Sequence, residues 1–282
     1  MIDRTRFSLN RIIAPSMVLG EFLGLTVQLG LRKVELRNDL DDRDPVDNMQ
    51  PSVFARLAAE HGVEVISLNA LQKFNLAAVR PKAVEELRKL LDLATAIGCR
   101  AVVLCPNNDP GDARDRTQRI AETIDALRAF GPLFQAAGVL GYVEPLGFGI
   151  SSLDSLVVAQ EAIRNSGQSC YRVVYDTFHH FIGPENQSVL GTTYSVSTTG
   201  LVHISGVEAD IPGDACRDEH RVLVGPNDRM KSKAQIARLD SLGYAGDFSF
   251  EPFSPVVQRL GRAELAAAIL KSLDYLTGEP MS

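Results

Sequence analysis

The sequence contains no tryptophan, and aromatic residues amount to only 6% of its 282 positions. A platform for stacking the bases of single-stranded nucleic acid is therefore not expected. Lysine and arginine form no contiguous block, and the formal net charge is -6. Because a surface of this charge repels phosphate, the sequence predicts no nucleic-acid partner.

Signals for membranes and secretion are missing as well. No uninterrupted apolar run reaches the roughly 18 residues of a membrane-spanning helix. The first residues, MIDRTR, do not lead into the apolar stretch of a signal peptide. The four cysteines follow neither zinc-ribbon nor C-x-x-C spacing, which favours free thiols in a reducing compartment. We expect a soluble, cytoplasmic protein without a membrane partner.

What the sequence does contain is a regular alternation of short and long apolar patterns. The short runs are bounded by Gly, Asn or Pro and are typical of buried strands. Eight such runs occur, at residues 7–10, 33–36, 63–68, 101–105, 139–143, 171–175, 201–204 and 247–250. Helical periodicity lies between them, most clearly at residues 81–97, 115–137, 154–165, 231–242 and 262–276.

This alternation predicts the fold class. Pro81 suits the first position of the helix that it opens, and Gly98 suits its C-terminal cap. Eight strands alternating with helices, without a long linker, predict a single-domain (β/α)8 TIM barrel over residues 1–282. The alternative is a doubly wound open sheet, which usually carries a glycine-rich phosphate turn after its first strand. The residues at that place are LNRIIAPSM, so the barrel is favoured.

In such barrels the functional site forms at the carboxyl ends of the strands. The last four predicted strands each provide a residue type that binds metal ions at this end: Glu144, Asp176, His203 and Glu251. Their separations of 32, 27 and 48 residues suit one βα unit each, the last one lengthened by a loop. Three carboxylates and one imidazole predict a site for one divalent ion such as Mn, Co, Mg or Zn. The alternative is four independent polar residues at strand ends.

Two of these residues share a local motif, because Glu144 lies in VEP and Glu251 in FEP. Each glutamate follows an apolar strand and precedes a proline, which ends the strand's hydrogen bonding. Strands five and eight lie on opposite sides of a closed barrel, so the two carboxylates are placed to flank a substrate. The motif predicts two catalytic acid/base groups that remove a proton from one carbon and deliver it to its neighbour.

Several segments resemble the xylose isomerase-like barrels of sugar isomerases and epimerases, and among these the inosose (2-keto-myo-inositol) isomerase type. The resemblance covers nearly the whole chain. It rests on LNRIIAPS (9–16), VELRNDL (34–40), ISLNALQKFN (66–75), YVEPLGF (142–148), YDTFHHF (175–181), LVHISGVE (201–208), DEHRVLVGPND (218–228) and FSFEPF (248–253). It implies a metal-dependent isomerase of a cyclic keto-polyol that acts through an enediolate, with the same four residues as metal ligands.

The resemblance also implies two contacts with the substrate. His179, three residues after Asp176, matches a histidine beside the substrate, and Arg221 in DEHR matches an arginine that binds substrate oxygens. There are two departures. His220 precedes Arg221 where the family commonly has aspartate, and the following turn is VGPND instead of Pro-Gly-x-Gly. Ile150 stands where ketose epimerases carry another glutamate, which disfavours 3-epimerase activity.

Polar residues after the second and third strands complete the predicted site. Glu35, Asn69, Gln72 and Lys73 are expected to contact substrate hydroxyls, with a structural role as the alternative for each. The predicted partner is a small polyol or sugar, and the oligomeric state is left open, a homo-oligomer included.

Other functions on the same scaffold stay open. Hydroxypyruvate isomerisation, ketose 3-epimerisation and keto-cyclitol dehydration are alternatives, because loop residues select the substrate. An abasic-site endonuclease is disfavoured by the presence of only five histidines and by the net charge of -6. A catalytically silent binding barrel is disfavoured by the complete set of predicted metal ligands.

Overall fold

The computed structural model describes residues 2–40 and 43–278. Eight parallel strands close into a barrel in chain order. They are β1 Phe7–Asn10, β2 Lys33–Arg37, β3 Glu64–Leu71, β4 Ala101–Leu104, β5 Leu140–Val143, β6 Tyr171–Asp176, β7 Thr199–Ile204 and β8 Asp247–Phe250. The predicted single-domain TIM barrel is confirmed, and the ends of its strands differ from the prediction by no more than three residues.

Helices follow the strands around the outside of the barrel. They are α1 Leu19–Gln28, α2 Pro51–His61, α3 Arg80–Ile97, α4 Arg116–Ala137, α5 Leu156–Ser166, α6 Thr177–Ile182, α7 Ser232–Ser241, α8 Pro255–Gln258 and α9 Arg262–Thr277. The five predicted helices are present. The end of α3 shows why its limit was predictable: Gly98 adopts φ 70°, a left-handed conformation, and its N–H donates to the carbonyls of Ala94 and Thr95.

Alternation along the strands separates the apolar core from the polar interior of the barrel. In β2, Val34 and Leu36 belong to the main core cluster, which also contains Leu87 and Leu91 of α3. The intervening Glu35 is buried too, but its carboxylate faces the imidazole of His203 across the barrel. The outward residues therefore hold the helices on the strands, and the inward residues carry polar groups toward the carboxyl end.

Two further expectations concern the chain as a whole. Within the two described ranges, no helix combines the length and the apolar character that crossing a membrane requires. All four cysteines are buried and unpaired, as their spacing predicted.

Candidate functional site

Four buried side chains converge at the carboxyl end of the barrel. Glu144 follows β5, Asp176 ends β6, His203 lies near the end of β7 and Glu251 follows β8. One candidate ligand atom from each lies within 4.8 Å of the other three. The exposed fraction of each residue is 3% or less. The structure thus brings the four predicted metal ligands into one site, which we call the four-ligand cluster.

His203 links the carboxylates of this cluster. Its Nδ1 lies 2.7 Å from Oε1 of Glu144 and 3.3 Å from Oε2 of Glu251. Its Nε2 points the other way and lies 3.2 Å from Oε2 of Glu35. Both ring nitrogens therefore face carboxylate oxygens, and the imidazole is held from two sides.

Arg221 lies in the loop after β7 and reaches the four-ligand cluster. Its Nη2 donates to Oδ2 of Asp176 at 2.7 Å and to Oε2 of Glu251 at 2.8 Å. The changed loop sequence does not divert it. His220 lies in the preceding turn, where its Nδ1 accepts a hydrogen bond from the backbone N–H of Arg217, 2.9 Å away. The guanidinium is therefore placed against the cluster, where the family resemblance put it.

Glu251 collects further donors from the first three strands. Nη1 of Arg37 donates to its Oε1 at 2.8 Å, and the side-chain amides of Asn10 and Asn69 donate to the same oxygen at 3.1 and 3.3 Å. Asn69 was predicted to contact substrate, whereas Arg37 and Asn10 were not assigned to the site. Their position at the carboxyl ends of strands is the sequence feature from which Arg37 and Asn10 could have been predicted as site residues.

Phe253 adds an aromatic surface that both arginines share. The Cζ of Arg221 lies 4.7 Å from the centre of this ring and the Cζ of Arg37 lies 5.2 Å from it. Arg221 also lies 4.9 Å from the ring centre of Phe178. These cation–π contacts help to hold two buried guanidinium groups in place.

Burial and neighbouring charges act in opposite directions on the pKa values of the cluster. Burial raises the pKa of Asp176, although Arg221 acts against this shift. For Glu251, the effect of burial is outweighed by the charges of His203, Arg221 and Arg37, which lower its pKa to about 2. For His203, burial is outweighed by the surrounding glutamates, which raise its pKa well above the ordinary value.

The charge balance of the buried layer favours a cation. It contains two guanidinium groups, of Arg37 and Arg221, and four carboxylates, of Glu35, Glu144, Asp176 and Glu251. With a neutral imidazole, four negative and two positive charges leave a balance of two negative charges, which one divalent ion would neutralise. Carboxylate oxygens with one imidazole nitrogen suit Mn, Co, Mg or Zn. The residues present therefore fit the predicted metal ion.

The segment YDTFHHF contributes side chains with different environments. Oδ1 of Asp176 caps α6 by accepting from the backbone N–H groups of Phe178 at 2.6 Å and His179 at 3.2 Å. His179 packs edge-on against Phe148, and its Nδ1 has no hydrogen-bond partner in the part of the chain that the structure describes. His180 packs against Tyr175 instead, and neither of its ring nitrogens has a hydrogen-bond partner among the same residues. Burial lowers the pKa of both histidines to about 4, and Arg221 contributes to the shift of His179.

Two of the predicted substrate contacts lie at a distance from the four-ligand cluster. Gln72 and Lys73 are exposed on the rim, where Nζ of Lys73 lies 3.7 Å from Oδ2 of Asp109. Glu35 has the opposite environment, because it is 0% exposed and faces His203.

A cavity of about 560 Å³ lies among the loops after β4, β5, β6 and β7, and the four residues of the cluster do not line it. Phe148, Ile150, Asp154, Arg217 and Asp218 are among its lining residues. One of its lining residues, Asp218, contacts the site, since its Oδ1 lies 3.3 Å from Nη1 of Arg221. The loops therefore leave room for a small molecule near Arg221.

The profile of the xylose isomerase-like TIM barrel matches residues 23–277. The chain belongs to this family. The crystal structure of a xylose isomerase domain-containing protein from Salmonella typhimurium LT2 superimposes on it with a TM-score of 0.92. The two chains share 36% sequence identity, and the match covers 98% of this chain and 99% of the other. The family predicted from sequence motifs is thus confirmed.

More distant structures share the fold of this xylose isomerase-like barrel. The IolI protein, solved with a bound zinc atom, has 20% identity and a TM-score of 0.87, with 98% and 99% of the two chains covered. D-psicose 3-epimerase from Clostridium cellulolyticum H10, solved with D-tagatose, has 16% identity and a TM-score of 0.73, with 96% and 99% covered. No curated protein sequence matches the chain. The chain has the scaffold of sugar isomerases and epimerases.

Proposed function

We propose that this protein is a divalent-metal-dependent isomerase of a cyclic keto-polyol, which moves a proton between adjacent carbons through an enediolate. The observation that carries the proposal is the four-ligand cluster, whose candidate ligand atoms lie within 4.8 Å of one another at the barrel's carboxyl end. The family supports the reaction class, and the zinc atom of the IolI structure supports a divalent ion. The resemblance of the sequence motifs to inosose isomerase supports the cyclic substrate.

Glu144, Asp176, His203 and Glu251 would hold the ion, which would supply Lewis-acid polarisation of a carbonyl and thereby acidify the neighbouring C–H bond. Glu144 and Glu251 are the proposed acid/base pair on either side of the substrate. Among the described residues, Oε2 of Glu144 has only the thiol of Cys105 as a hydrogen-bond partner, at 3.6 Å. This weak contact leaves Oε2 available to accept a proton from carbon.

Other side chains bind and orient the substrate in this proposal. Arg221 donates to substrate oxygens from its place beside Asp176, and the unpartnered Nδ1 of His179 provides a further polar contact. Asn69 is held against Glu251, and Gln72 and Lys73 on the rim remain proposed contacts for outlying hydroxyls. The nearby cavity among the loops has room for a substrate of the size of a single sugar ring.

The test follows C–H exchange with deuterium in metal-loaded protein supplied with inososes, ketohexoses or hydroxypyruvate. We expect exchange and isomerisation with an inosose. We also expect Glu144→Gln to slow exchange by about 10²- to 10⁴-fold, the usual contribution of a general base. Glu161→Gln on the exposed face of α5 is the control and should leave the rate unchanged. Absence of exchange with every keto-polyol would overturn the proposal, and a Glu144→Gln variant that keeps metal and full turnover would remove Glu144 from the mechanism.

The same assay separates the alternative reactions. A 3-epimerase would exchange the proton at one carbon of a ketohexose and return an epimer. This outcome is not expected, because Ile150 occupies the place of a glutamate that ketose epimerases carry. A dehydratase would release water and form a conjugated product with new ultraviolet absorbance. Hydroxypyruvate isomerisation would appear as exchange with that substrate alone.

A further inference from the structure

Glu35 lies beneath the four-ligand cluster and is fixed from two neighbouring strands. It is in register with Asn10 of β1 and Ser67 of β3. The amide of Asn10 donates to its Oε1 at 3.2 Å, and the hydroxyl of Ser67 donates to its Oε2. If the carboxylate swung toward the barrel mouth, the buried hydroxyl of Ser67 would lose its acceptor, which is unfavourable for a buried polar group.

The imidazole of His203 separates Glu35 from the rest of the site. Nε2 of the ring lies 3.2 Å from Oε2 of Glu35, whereas Nδ1 lies 2.7 Å from Glu144 and 3.3 Å from Glu251. Both Glu35 and His203 are 0% exposed. A substrate bound against the cluster therefore meets the other carboxylates first, and Glu35 acts on the site through the ring.

We propose that Glu35 is a positioning residue, which accepts a hydrogen bond from Nε2–H of His203 and thereby turns the lone pair of Nδ1 toward the metal ion. The inference rests on the proposed function, because it assigns the orientation of one ligand of that same centre. A neutral imidazole has one donor and one acceptor nitrogen, so an acceptor placed at Nε2 fixes the tautomer. This role takes the place of the substrate-hydroxyl contact that the sequence suggested for Glu35.

The contact also explains the polar composition of this layer. A carboxylate that accepts from the far nitrogen of a ligating histidine fixes the ring and raises its basicity as a ligand. Asn10 and Ser67 would then serve to hold that carboxylate, since both donate to it. Glu35 differs in this respect from Arg37, two residues later on the same face, which binds Glu251 directly.

The test measures zinc binding and the tautomer of His203 in the same variants. Affinity for Zn²⁺ is measured by competition with a chelator for the wild type, Glu35→Gln and Glu35→Ala. We expect a loss of about 10- to 100-fold for Glu35→Ala, and a smaller loss for Glu35→Gln, which keeps an acceptor oxygen. Ser8→Ala is the matched control, because it removes a buried hydroxyl of β1 that donates to the carbonyl of Phe248 and not to Glu35.

Long-range ¹H–¹⁵N spectra of histidine-labelled protein report which ring nitrogen carries the proton, with His203→Asn used for assignment. We expect Nε2–H in the zinc-bound wild type and a loss of this fixed tautomer in Glu35→Ala. If Glu35→Ala does not fold, Glu35→Gln answers the question with the same two measurements.

The outcomes separate the two proposals. Wild-type zinc affinity in both Glu35 variants, or a zinc-bound His203 protonated on Nδ1, would overturn the inference and leave the proposed function standing. A wild-type protein that binds no divalent ion would overturn the proposed function, and the inference with it.

Discussion

Glu144 and Glu251 follow their strands in the same local pattern, VEP and FEP, yet their surroundings differ. The carboxylate of Glu144 lies 2.7 Å from Nδ1 of His203 and 3.6 Å from the thiol of Cys105. The carboxylate of Glu251 accepts four hydrogen bonds of 2.8 to 3.3 Å, from Arg37, Arg221, Asn10 and Asn69. One glutamate is lightly bonded and the other is enclosed by donors.

The comparison shows that the local motif determines where a carboxylate lies, whereas the neighbours across the barrel determine its pKa and how readily it accepts a proton. Burial alone would raise the pKa of Glu251, but the charges of His203, Arg221 and Arg37 lower it to about 2. A carboxylate so strongly stabilised as the anion accepts a proton less readily, so Glu251 is the weaker base of the proposed acid/base pair. Glu144, with one weakly bonded oxygen, is the better candidate for taking a proton from substrate.

The largest expected difference between the two glutamates is in stability. Glu251→Gln should lower the free energy of unfolding of the metal-free protein by about 3–5 kcal/mol, because it leaves buried guanidinium groups without their shared anion. Glu144→Gln should lower the same quantity by about 1–2 kcal/mol, since it weakens the one short hydrogen bond described above for that side chain, to Nδ1 of His203, and keeps an acceptor oxygen there. Equilibrium unfolding in urea measures both.

Arg221 keeps Asp176 and Arg37 keeps Asp39 in the Glu251→Gln variant, so neither arginine loses every partner. This places the expected loss toward the lower end of the range. Equal losses for the two glutamine variants would contradict the asymmetry described above.

The second expected difference is in the response to acid. The pKa of Glu251 is about 2 in the folded protein against an ordinary value of 4.5. The unfolded state therefore binds the proton more tightly, so this contribution to stability is complete above pH 4.5 and is lost as the pH falls toward 2. The shift of about 2.5 units corresponds to about 3 kcal/mol at most.

This response is measured as the difference in unfolding free energy between the wild type and Glu251→Gln, from pH 6 down to pH 2.5. This difference should become smaller as the pH falls. The difference in unfolding free energy between the wild type and Glu144→Gln, measured over the same pH range, is the control. Asp176 acts in the opposite direction, because its pKa is raised in the folded state. Because the charge of Glu251 is one cause of that raised pKa, the comparison with Glu251→Gln retains part of the contribution of Asp176.

The fold could be predicted because its signals are local. Residues 81–97 show helical periodicity between Pro81 and Gly98, and the observed helix is Arg80–Ile97. Short helices gave no such signal. Helix α6, Thr177–Ile182, begins directly after Asp176, and its start depends on that carboxylate accepting two backbone hydrogen bonds.

The four candidate ligands could be predicted because parallel strands in a barrel bring their carboxyl ends together. The roles of Glu35 and Arg37 could not, since they depend on partners from other strands. Glu35 meets His203 across a separation of 168 residues, and Arg37 meets Glu251 across 214. A list of strand-end residues names such groups without stating which of them face each other.

The smallest expected effect concerns Phe253, whose ring contacts the guanidinium groups of Arg37 and Arg221. Phe253→Leu should lower the free energy of unfolding by about 1–2 kcal/mol through the loss of two cation–π contacts. Because the same arginines bind Glu251, the variants Phe253→Leu and Glu251→Gln should not be additive, with a coupling of about 0.5 kcal/mol or more in a double-mutant cycle. The cycle of Phe253→Leu with Glu144→Gln should be additive, since neither arginine donates to Glu144 among the contacts described above. Equal coupling in the two cycles would show that the arginines act on both glutamates alike, and the asymmetry would then have to arise from His203.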